Sequence, residues 1–312
     1  MTLILHLRSR PMRFILSILV ILSIFAVLFQ QLYSEWDNIA SVQWKQNPIF
    51  FVLHFVFLIM MFSGLVMGWK NTYKLNGQEV TFCDASYTWL VSNLGKYIPG
   101  KIFMFAGRIG LSKIIGIRET ICISALTIEH LFMLVATLPF LIALPFGVVQ
   151  IDLKWLVGAM ITISCVGLSF LIAPKFFFQN LNKILVRIGK QQISANPTRA
   201  LVVSLLSIYL VIWIFYGLSG AMLIYALELG NDLSLLRIFS SFVAAWVIGF
   251  LSFLTPGGLG VREGVLVLML RPELETSQAI LVAIIARISW TIIEMAGVVV
   301  GFYMKRNIKT AG

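Results

Sequence analysis

Apolar residues run along this chain in blocks long enough to cross a bilayer, separated by short polar connections. A helix needs about 20 apolar residues to span the hydrocarbon core, and six segments qualify: residues 13–33, 48–69, 121–146, 154–173, 200–227 and 278–303. Two more apolar stretches, 82–117 and 236–270, are interrupted near their middle. The first break reads Asn93-Leu94-Gly95-Lys96-Tyr97-Ile98-Pro99-Gly100-Lys101, and the second reads Thr255-Pro256-Gly257-Gly258-Leu259-Gly260-Val261-Arg262-Glu263. The pattern predicts an all-α polytopic membrane bundle of about six full spans plus two broken, re-entrant hairpins. It forms a single domain over residues 1–312, with halves at about 13–146 and 154–303.

Composition narrows the class. Hydrophobic residues make up 59% of the chain and charged residues 12%, against about 25% charged in soluble domains. The apolar spans leave no stretch long enough for a soluble catalytic domain. Arg8, Arg10 and Arg13 precede the apolar run 14–29 without a small-residue cleavage site after it, which predicts an uncleaved first helix. The net charge of +11 sits in loops at helix ends rather than in one patch, so nucleic acid is not an expected partner.

Loop charge predicts orientation. Lys175, Lys183, Arg187, Lys190 and Arg199 fill the loop 174–199, and Lys305, Arg306 and Lys309 lie near the end of the sequence. By the positive-inside rule these face the cytoplasm, as do both termini of a protein in the cell membrane. The loops 34–47, 147–153, 228–235 and 271–277 carry acids and few bases. Parity is kept if both hairpins dip in and return, from opposite sides, as an inverted repeat. It is also kept if both cross fully as four short helices.

Broken helices carry chemistry in a membrane. Backbone freed by a Pro-Gly turn must be satisfied by protein or by a watery cavity, and the half-helix that follows aims its N–H groups and positive dipole end at that place. Such an end suits an anion, above all a phosphate. The candidate substrate-binding set is therefore Asn93, Lys96, Pro99, Gly100, Lys101, Arg108, Pro256, Gly257, Gly258, Gly260, Arg262 and Glu263. The bland alternative is that Arg108, Lys113 and Arg262 snorkel to headgroups.

Intramembrane acids are few. Glu129, Arg287 and Glu294 are candidate ion-pair or gating residues, with Glu294 or Glu129 expected opposite Arg262 or Arg287. Arg287 and Glu294 lie seven apart, on one helix face, and Glu263 suits a helix start. His54 is expected to face a polar neighbour. Trp36, Trp44, Trp69 and Trp155 fall at span ends, where amphipathic rings collect. Cys83, Cys122 and Cys165 are isolated, His130 with Glu129 is too small a set for a metal site, and no cofactor is implied.

The segments Ser92 to Lys101, Gly107-Arg108, and Thr255 to Gly264 resemble the signatures of the lysylphosphatidylglycerol synthase transmembrane-region family, also described as flippase-like. The resemblance extends from about residue 10 to 305. In larger relatives this region accompanies a soluble aminoacyl-transferase or glycosyltransferase domain; without one, the resemblance implies lipid flipping rather than synthesis. The residues and the resemblance together lead to a lipid translocator whose partners are membrane lipids with phosphate headgroups. The rivals are an integral-membrane transferase with Glu129, His130 or Glu263 as general base, and a non-transporting accessory of lipid-modifying or glycosyltransferase enzymes.

Overall fold

The computed structural model describes residues 47–97, 102–141, 172–187, 192–193, 197–229, 233–252 and 255–310, with a few positions between 30 and 37. The expected spans 13–33 and 154–173 lie almost entirely outside the described residues, and Trp44, Trp155 and Cys165 lie outside them. In chain order the helices are α1 (Pro48–Leu75), α2 (Phe82–Ser92), α3 (Ile102–Ile114), α4 (Glu119–Val135), α5 (Pro174–Arg187), α6 (Arg199–Ala226), α7 (Leu235–Leu251), α8 (Val261–Leu270) and α9 (Thr276–Thr310). Short 3-10 turns follow α2 (Asn93–Tyr97) and α4 (Leu138–Leu141) and precede α8 (Pro256–Gly258). The described residues hold no strand.

Among the described residues, four segments are long and apolar enough to cross a membrane: Pro48–Leu75, Glu119–Leu141, Arg199–Ala226 and Thr276–Lys305. They coincide with four of the six expected spans. The hairpin arms differ in kind. At 1.5 Å per residue, α2 is about 16 Å long, α3 about 20 Å and α8 about 15 Å. None of these three reaches across a core of about 30 Å.

Helix starts follow local chemistry. The Asn47 side chain accepts from the Ile49 amide with Pro48 in the first turn, and Thr81, Thr198 and Ser234 do the same for α2, α6 and α7. Between α1 and α6 the seam is close. A Cβ on Gly64 would meet Ile212 at 2.7 Å, and one on Gly68 would meet the Tyr209 ring at 2.9 Å. Small residues admit such approach in hydrocarbon, where packing drives helix association. In the same seam His54 Nδ1 lies 2.8 Å from both oxygens of Ser219, the polar neighbour expected for it.

Two readings need correction. Trp69 is fully buried rather than at an interface, and its Nε1 donates to Thr88 Oγ1 at 3.0 Å. α1 runs six residues past the apolar block, which draws Trp69 into the core. The basic segment 174–199 is not all loop, because its first part forms α5. Phe178 and Leu185, seven apart on that helix, are buried while Lys175, Lys183 and Arg187 are exposed. With 14 residues this helix is too short to span the hydrocarbon core.

Candidate functional site

The two broken turns meet. A Cβ on Gly257 would come within 3.0 Å of the Tyr97 ring, and Gly257 adopts φ 58°, a left-handed conformation that L side chains rarely adopt. Gly95 serves the first turn differently: its missing side chain lets the backbone at Phe103 and Met104 cross within 2.7 Å of where a Cβ would sit. The described part of each interruption is thus packed against protein, as freed backbone in a membrane requires.

Between the turns lies a cavity of about 90 Å³. The first hairpin contributes Trp89, Asn93, Lys96, Met104 and Arg108 to its wall, and the second contributes Trp246, Gly249, Phe250, Gly257 and Arg262. Glu129 and His130 from α4 and Trp290 from α9 complete most of the lining. Aromatic rings flank a small set of charges, and this low-dielectric surround strengthens the polar interactions inside.

Those charges are mostly paired. Arg108 is 2% exposed; its Nη1 donates to Glu129 Oε2 at 2.5 Å and its Nε to Ser92 Oγ at 3.0 Å. Its guanidinium also lies 4.8 Å from the Trp69 ring centre and 5.3 Å from that of Trp89. Trp89 Nε1 donates to the other Glu129 oxygen at 2.6 Å. Arg108 is therefore a buried structural cation and not a snorkelling one, whereas Lys113 is exposed and pairs with Glu119 at 2.9 Å.

α9 holds both turns. Glu294 accepts from Lys96 Nζ, from Asn93 Nδ2 at 2.9 Å and from the Tyr97 hydroxyl at 2.6 Å. Two turns of helix earlier, Arg287 Nη1 lies 3.4 Å from the Gly257 carbonyl, and its Nε lies 3.4 Å from Glu263 Oε1. The expected pairing of Glu129 or Glu294 with Arg262 or Arg287 is corrected: Glu129 takes Arg108, Glu294 takes Lys96, and Arg287 takes Glu263. Sequence separation hid these partners, since Lys96 and Glu294 are 198 positions apart.

Arg262 is arranged differently. Its guanidinium carbon lies 4.0 Å from the Trp290 ring centre and Nη2 donates to the Tyr216 hydroxyl at 2.5 Å. Among the described residues it has no carboxylate partner. Tyr216 and Trp290 were missed by sequence reasoning. An aromatic ring in an apolar helix gives no signal until a cation stacks on it.

The remaining candidates are placed as follows. Glu263 sits in the first turn of α8, where its Oε2 accepts from the Gly260 amide at 2.7 Å and so occupies part of the helix end expected for an anion. Gly260 and Glu263 line a separate hollow with Gly264 and Ile284 rather than the central cavity. Gly258, with φ 74°, packs against the Gly249 backbone, and Pro256 opens the second turn. Pro99, Gly100 and Lys101 lie outside the described residues.

Residues 14–296 match the family described as Lysylphosphatidylglycerol synthase TM region. The chain belongs to that family. It is a multi-pass membrane protein of a family linked to lipid modification or transport. No curated protein matches the chain. As a member of this family, the chain carries both Pro-Gly motifs within the matched region, and the second one supplies Arg262, which has no carboxylate partner among the described residues.

Proposed function

We propose that this chain is a membrane lipid translocator that binds the phosphate of a lipid headgroup between its two broken hairpins. The observation that carries the reading is Arg262: a guanidinium in an aromatic-walled cavity, beside both turns, with a phenol rather than a carboxylate as its partner. A stacked guanidinium is pre-set for two-pronged bonding to a phosphate. The family membership supports a lipid as the ligand. The order long helix, broken pair, long helix occurs twice, in α1 to α4 and in α6 to α9, and this supports two repeats. Basic α5 then faces the cytoplasm, with both chain ends on that side of the cell membrane, and rocking of one repeat against the other carries the headgroup across.

The transferase reading is less favoured, because each of its candidate bases is already engaged: Glu129 by Arg108 and Trp89, His130 Nδ1 by the Leu126 carbonyl, and Glu263 by the Gly260 amide and Arg287. The test is headgroup transfer in vesicles reconstituted with purified protein. Arg262→Ala is expected to abolish transfer while the protein still inserts and elutes as a single species. Transfer at the wild-type rate by that variant refutes the proposed site.

A further inference from the structure

The ligand's charge follows from the pairing around the cavity. Among the described residues, and apart from the His130 imidazole, Lys96, Arg108, Arg262 and Arg287 supply four positive charges at or just behind the wall, and Glu129, Glu263 and Glu294 supply three negative ones. Each carboxylate is matched to one cation, and Arg262 is left over. Releasing Arg108 or Lys96 to meet a second ligand charge would strand a buried carboxylate, since Glu129 is 1% exposed and Glu294 4%. An unpaired charge in such a place is strongly unfavourable.

We infer that the cavity selects a lipid whose headgroup phosphate is a phosphodiester, with one negative charge, over a phosphomonoester or a diphosphate. The inference rests on the reading that a lipid phosphate binds here. A phosphodiester brings one charge to one available guanidinium, and its neutral substituent lies against the Trp246 and Phe250 rings, which are stacked 5.0 Å apart. A phosphomonoester, with about two charges near pH 7, brings a charge that no described cation is free to meet. Both phospholipids and polyprenyl-linked sugars can present a phosphodiester, so the tail is a separate question.

The experiment is native mass spectrometry of the purified full chain at pH 8 with four lipids: phosphatidylglycerol, phosphatidic acid, a polyprenyl phosphoryl hexose and a polyprenyl diphosphate. The expected result is that the phosphodiester of at least one tail class is retained at least about tenfold better than its more highly charged counterpart, the margin of one charge-assisted hydrogen bond. The tail class retained identifies the lipid source. Equal or reversed retention overturns the charge selection and leaves the phosphate-lipid reading intact. Retention of none of the four, or retention that Arg262→Gln does not change, overturns both.

A second variant reads the same claim as a gain. Glu129→Gln keeps an acceptor for Trp89 Nε1 and frees the permanently charged Arg108. Retention of phosphatidic acid relative to phosphatidylglycerol is expected to rise by about tenfold. An unmoved ratio in a variant that elutes as the wild type does overturns the selection.

Discussion

Neutralising Glu294 tests whether the last helix clasps the first turn through charge. Its carboxylate meets one ammonium and two neutral donors, and the Glu294 and Lys96 side chains are 3% and 15% exposed. Removing one partner from a buried ion pair costs about 3–5 kcal/mol, because the other charge is left without compensation. Glu294→Gln strands the Lys96 ammonium, and Lys96→Met strands the carboxylate, so each variant is expected to lose that much. For a chain of this size about 2 °C accompanies each kcal/mol, giving a fall of roughly 6–10 °C in the melting temperature. The double variant removes both charges and is expected to recover most of the loss. The assay is thermal unfolding of detergent-purified protein followed by size-exclusion chromatography across the four members of the cycle. If the two single losses add to within about 0.5 kcal/mol in the double variant, the pair is not coupled and the clasp is wrong.

Three other expectations follow from the same geometry. Gly95→Ala places a Cβ 2.5 Å from the Met104 amide nitrogen, a backbone atom that cannot swing away, so a loss of about 1–3 kcal/mol is expected in the same unfolding assay. Arg108→Lys keeps the charge but loses the fork that reaches both Ser92 and Glu129, so a loss of about 1.5–3 kcal/mol is expected, with wild-type stability counting against that role. For orientation, a single cysteine in place of exposed Lys183 should react with a membrane-impermeant thiol reagent only in inside-out vesicles, in a background lacking the native thiols; labelling of right-side-out vesicles reverses the assignment.

Much of the fold was legible because lipid removes the usual ambiguities. Helices are the only unbroken way to carry this much apolar sequence across a bilayer, so the four long segments fell where the apolar blocks lie, and the Pro-Gly signatures marked both interruptions. What was hidden depends on partners rather than pattern. α1 and α6 are apolar on all sides, so periodicity could not tell that Trp69 faces protein while Met67, two positions earlier, is exposed. Arg108 and Lys96 could be singled out along the chain, yet their carboxylates come from other helices, 21 positions away for Arg108 and 198 for Lys96. Glu263 shows the reverse case, since its role at the helix start is local and was readable from the residues themselves.

Arg287 and Glu294 sit on one rod, about 10 Å apart along its axis, and each grips a different interruption. A shift of that rod pulls on both sides of the chamber in a single stroke. Loosening one grip without the other requires the helix between them to bend or a side chain to let go, so a change at either position propagates to the far side of the chamber.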